Sequence, residues 1–111
     1  MLRKILVSPG YGAGWSSWNS GEVAKYMLTY QPIIEFLENG GKFEHVNYSD
    51  PDGKNTHPLL KQLQKDCLEK FGEKYVSISG ATDLEVKEVN GLVRINEYDG
   101  SESVEEQYDH Q

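Results

Sequence analysis

Apolar residues recur along the chain with two spacings, and the change from one to the other divides it into elements. Residues 3–8 (RKILVS) form a short, β-branched apolar run that stops at Pro9-Gly10, which predicts an interior strand. Beyond a glycine-rich stretch, Val23, Met27 and Tyr30 fall at helical spacing. Asn19 or Ser20 can cap that helix, and Glu22 lies near its positive end. Pro32 clashes with a continuous helix, so the pattern predicts a break at Tyr30-Gln31 and a second helix with Pro32 in its first turn. Ile33, Ile34, Phe36 and Leu37 fill this second piece, and Asn39-Gly40-Gly41 ends it.

Residues 43–55 are polar and rich in turn formers, predicting a loop. Thr56 is placed to cap a third helix with Pro58 close behind. Leu59, Leu60, Leu63, Cys67, Leu68 and Phe71 recur at three and four, and Gly72 stops the run. Residues 75–78 read as a strand. Two hairpin signals follow: Asn90-Gly91 between DLEVKEV and LVRINEY, and Asp99-Gly100 before SESVEE. A two-residue turn at the first sets Val89 opposite Leu92 and Val86 opposite Ile95. Leu84, Val86, Val93 and Ile95 then share one face, and Glu85, Lys87 and Arg94 the other. The expectation is a small α+β domain: an N-terminal strand, two to three helices, a strand, then a C-terminal antiparallel three-stranded meander. It spans residues 1–106, with 107–111 as a frayed acidic tail.

Composition supports this outline. At 111 residues, two independent cores would each be marginal, so one domain is expected. Hydrophobic residues are 37% of the chain, and aromatics at 11%, including seven tyrosines, supply burial that aliphatics do not. No apolar run approaches a membrane span and no leader is expected, while the single cysteine, Cys67, suits a reducing compartment. A cytoplasmic location is expected. The net charge of -7 is placed unevenly: residues 81–111 carry nine acidic side chains against Lys87 and Arg94. That field repels nucleic acid and anionic membrane and favours a basic partner, although a solvated strand edge is its structural alternative.

The stretch SPGYGAGWSSWNSGE, residues 8–22, combines glycines with Tyr11, Trp15 and Trp18 between the first strand and the first helix. Small residues let a backbone approach a ligand, and free amides at a helix start face an anion. Ser16, Ser17, Asn19 and Ser20 add donors, and the aromatic rings can stack on a base. Gly10, Gly12 and Gly14 nevertheless give G-x-G-x-G rather than the dinucleotide spacing, and no lysine-serine pair follows as in a P-loop. The competing reading is structural: the indoles plug the sheet and the glycines permit a tight crossing.

Other chemistry is thin. From Asp50, the fifth and sixth positions of an EF-hand loop are Lys54 and Asn55, so the template fails despite Asp52 and His57. His45, His57 and His110 lack metal-ligand spacing, and nothing joins His57 to Ser8 as base and nucleophile. Cys67 lies on an apolar stripe, where a thiol packs as a small hydrophobe. No catalytic residue, metal or cofactor is expected.

Two segments, SPGYGAGWSSWN and VRINEYDGSESVE, resemble a group of short, mostly uncharacterised proteins encoded by bacteriophages and prophages. Members of that group carry a GYGAGW-S/T-x-W loop after a first strand and an EYDGSE-type hairpin near the C-terminus. The resemblance implies a small accessory protein acting in the bacterial host cytoplasm during infection, and by analogy one that binds and inhibits a host component such as a defence protein. If the two segments form one site, Glu97, Tyr98, Asp99, Ser101 and Glu102 supply acceptors beside Tyr11, Trp15 and Ser16, with Gly12, Gly14, Ser17, Trp18 and Asn19 completing the loop. The first expectation is therefore a non-catalytic binding protein whose partner is a host protein. A small nucleotide-like ligand, sequestered by the loop amides and indoles, is the alternative, and a hydrolase acting on a phosphorylated substrate is the third.

Overall fold

The first strand finds its partner late in the chain. In a computed structural model describing residues 2–10, 14–43 and 57–107, β1 (Leu2–Val7) runs antiparallel to β2 (Glu85–Asn90), with Leu6 opposite Val86 and Arg3 opposite Val89. Between them come α1 (Gly21–Leu28), α2 (Gln31–Glu38) and α3 (Pro58–Phe71). After β2, a second antiparallel ribbon pairs β3 (Leu92–Tyr98) with β4 (Ser101–Gln107). The class is α+β, as the pattern predicts.

Pleating divides β1 between two cores. Leu6 joins the larger cluster, with Met27 of α1, Ile33 and Ile34 of α2, and Leu60, Leu63 and Cys67 of α3. Ile5 and Val7, on the opposite face, form a smaller cluster with Val89, against which Val93, Ile95 and Val104 of the second ribbon pack. Apolar residues at consecutive positions of β1 thus read correctly as a strand covered on both sides. Tyr26 and Tyr30 donate to Asp66 Oδ2 at 3.1 and 3.0 Å, joining α1 and the start of α2 to α3. Burial, and then the Asp66 carboxylate, push the Tyr26 hydroxyl up to about 12.

The helix breaks fall where predicted: Pro32 stands in the first turn of α2, Tyr30 precedes that helix and Asn39 follows it. At α3 the cap position belongs to His57, whose Nδ1 accepts from Leu59 N at 3.1 Å, while Thr56 lies outside the described residues. Cys67 is buried as expected, and burial raises its thiol pKa. Leu68 and Phe71 keep substantial exposure, so the outer part of the predicted apolar stripe stays at the surface.

Two expectations are corrected. There is no three-stranded meander: Asn90-Gly91 does not close a hairpin, and the predicted pairing of Val89 with Leu92 is replaced by β1–β2 and β3–β4 ribbons. The shared face of Leu84, Val86, Val93 and Ile95 separates accordingly, with Leu84 and Val86 on the helical side and Val93 and Ile95 on the other. The reason is burial. Folding β3 back beside β2 in one flat sheet would leave Ile5 and Val7 bare, whereas turning at Gly91 (φ 78°) carries the second ribbon over them. Residues 75–78 likewise form no strand. Val76 and Ile78 are buried, but the Asn19 side chain takes the place of a neighbouring strand: its Oδ1 accepts from Ser77 N at 3.0 Å and its Nδ2 donates to Ser77 O at 3.1 Å.

Candidate functional site

Asp99-Gly100 closes the β3–β4 hairpin, with Tyr98 opposite Ser101 and positive φ at both turn residues, 50° and 84°. These are the backbone angles of the tight hairpin turn that Asp-Gly favours. The turn end of this hairpin lies against the N-terminal loop. Ser101 Oγ donates to Pro9 O at 2.6 Å, and Glu102 N donates to Ser8 O at 2.8 Å.

Glu97 and Glu102 are direct cross-strand neighbours in this hairpin, an arrangement that like charges disfavour. Separate sets of donors answer each of them. Glu102 is only 2% exposed, and its carboxylate accepts from the backbone amides of Ser8 at 2.8 Å, Trp15 at 2.7 Å and Ser17 at 3.0 Å, and from the Ser17 hydroxyl. The converging amides form an anion-binding nest of the kind the glycine-rich stretch suggests. Its anion comes from the chain itself.

Glu97 Oε2 accepts from Trp18 Nε1 at 3.0 Å and from Gly100 N at 2.8 Å. The indole hydrogen bond, and secondarily the Gly100 amide, hold the Glu97 carboxyl below its ordinary value. One carboxylate thus secures the loop backbone and its neighbour secures an indole.

Close approach explains a glycine at position 14. A Cβ there would lie 2.6 Å from both Ser17 Oγ and Trp18 Cδ1, and a Cβ on Gly80 would lie 2.5 Å from Gly14 O. The loop therefore crosses the 3-10 turn of Ser79–Asp83 backbone to backbone.

The two indoles separate in role. Trp15 is fully buried in the larger core and donates from Nε1 to Met27 O at 3.1 Å; as a contact for a partner it is corrected to a core residue. Ser16 is buried too, and Asn19 is occupied by the Ser77 segment. Trp18 remains 43% exposed. Tyr98 and Asp99 are exposed as well, whereas Tyr11 and Gly12 lie outside the described residues. The loop and the turn do meet, and the part of their meeting open to solvent centres on Trp18, Glu97 and the turn itself.

Beside Trp18 lies an open cleft of about 260 Å³ lined also by Ser17, Asn19, Ser20, Val23, Glu73 and Tyr75. Glu73 and Tyr75 were not singled out by the sequence, where Tyr75 reads only as the first residue of the predicted strand at 75–78. Tyr75 is 88% exposed, a property of the folded chain that the local pattern does not carry.

Among the described residues no group of three or more His, Cys, Asp or Glu side chains is placed to hold a metal ion. Asp50, Asp52, Asn55, His45 and His110 lie outside those residues. His57, besides capping α3, packs against both Phe36 and Phe43 at ring-centroid distances of 4.8 and 5.0 Å. Among the described residues no helix is long and apolar enough to cross a membrane. Comparison with family models, with curated proteins and with solved structures returns no match to this chain.

Proposed function

We propose that this chain is a non-catalytic accessory binding protein, of the phage type its two motifs resemble, which inhibits a host protein in the bacterial cytoplasm by docking the Trp18–Asp99 corner onto it. The observation carrying this reading is the construction around Trp18. A half-exposed indole is held at its Nε1 by Glu97, on a loop whose backbone is tied down by buried Glu102. Little ordering entropy remains to be lost on binding, and an exposed, pre-positioned tryptophan is the side chain most often dominant in a protein interface. Glu97 and Asp99 beside it, with the acidic excess of the C-terminal third, would steer a basic surface toward the corner.

The same geometry weighs against the nucleotide-like alternative at the loop amides. The Ser8, Trp15 and Ser17 amides already serve Glu102, and a phosphate would have to displace a buried carboxylate. A hydrolase has less support still, because His57 is engaged in capping and aromatic packing.

The test is capture of host proteins from lysate by the immobilised chain and by Trp18→Ala, at low and high salt. A protein retained by the native chain, lost with Trp18→Ala and released by salt supports the reading; retention indifferent to Trp18 overturns it. Quenching of Trp18 fluorescence by added nucleotides would favour the small ligand, and consumption of the nucleotide would favour the enzyme.

A further inference from the structure

Tyr75 and Glu73 have no part in the core, yet they stand with Trp18 around one cleft. Glu73 is held there: its Oε1 accepts from the backbone amide of Tyr75 at 3.1 Å, which ties the carboxylate to the Tyr75 backbone at the cleft. Among the described residues Glu73 is the only charged one in the lining, and Lys74 is not part of it. At the indole N–H, Glu97 adds a second negative charge close to the Trp18 ring. Two exposed aromatic rings, a positioned carboxylate and a negative potential behind them make a receptor for a cation rather than for an anion or a neutral apolar group.

We infer that the cleft between Trp18 and Tyr75 receives an arginine side chain of the partner protein, with Glu73 as its counter-ion. This rests on the binding reading above and names the chemistry the partner must present. Arginine fits better than lysine because a planar guanidinium stacks on an aromatic face while its edge meets a carboxylate with two parallel hydrogen bonds. The cleft, about 260 Å³ and open to solvent, suits a single side chain entering from outside rather than a folded segment.

The experiment titrates N-acetyl-arginine amide into the full-length chain and follows the two indole N–H cross-peaks by NMR. The Trp18 resonance should shift saturably, and the buried Trp15 resonance should stay in place as an internal control. N-acetyl-citrulline amide, neutral and of the same shape, should bind roughly tenfold more weakly or not at all. Tyr75→Ala and Glu73→Gln, both at exposed positions, should each weaken the arginine probe by roughly three- to tenfold while leaving the rest of the spectrum unchanged. The inference is overturned if no saturable shift occurs, if citrulline or a lysine probe performs equally, or if neither substitution matters. Trp18-dependent capture of a host protein alongside a silent arginine titration would retain the binding reading and remove this inference. A specific arginine response alongside Trp18-independent capture would do the reverse.

Discussion

Trp15 and Trp18 stand three positions apart in one loop, and the structure uses them in opposite ways. Trp15 is fully buried, its indole N–H spent on the carbonyl of Met27 at the end of α1. Trp18 is 43% exposed, its indole N–H spent on Glu97 at the edge of the hairpin. Between them, the Trp15 and Ser17 amides converge on Glu102. The first indole anchors the loop in the core and the second is what the anchored loop displays. Rigidity at one end is the condition for presentation at the other.

The largest effect that would test this division is on stability. Trp15→Ala should lower the unfolding free energy by about 3–5 kcal/mol, the usual cost of removing a fully buried large aromatic. Urea titration reads it, and a loss below about 1 kcal/mol would mean that the indole does not anchor the loop. Next comes the clamp. Glu102→Gln keeps the volume but places an amide group against buried donors, for an expected loss of about 2–3 kcal/mol. Hydrogen exchange should accelerate at the Trp15 and Ser17 amides in particular, and unchanged protection there would contradict the assigned role.

Trp18→Ala should cost under about 1 kcal/mol of stability, being half-exposed, yet reduce affinity for the partner by roughly thirtyfold or more if it is the interface centre. Comparable losses of stability for both tryptophan variants would erase the contrast. The smallest effect is a titration. Because Glu97 is held below its ordinary carboxyl value of 4.5, its bond to the Trp18 indole should persist above that pH and be lost as pH falls through the lower folded value. The Trp18 indole resonance should move in that acid range and vanish as a titration in Glu97→Gln; the Trp15 resonance should remain flat.

Turn chemistry shows how far the sequence could be followed. Asp99-Gly100 and Asn90-Gly91 carry equivalent local signals, both permitting positive φ. Only the first closes a hairpin, because nothing competes for β3 and β4, while β2 is taken by β1. Glu102 was visible as one acceptor among five in the EYDGSE segment. Counting in twos from Val104 puts it on the hairpin's apolar face, and a carboxylate at such a position signals a buried set of donors. The cleft residues Glu73 and Tyr75 were not legible, since their nearness to Trp18 depends on Asn19 tying residue 77 to the loop.

By itself the sequence determined the three helices, the interruption before Pro32 and the stop at Gly72, the interior character of β1, the Asp-Gly turn and the placement of charge, all properties of residues near one another along the chain. The tertiary structure alone decided which strand β1 would pair with, which indole would be covered, and that the anion in the glycine-rich nest would be Glu102. Those outcomes are competitions between distant segments for the same apolar surface and the same backbone donors, and local propensity holds no information about who wins them.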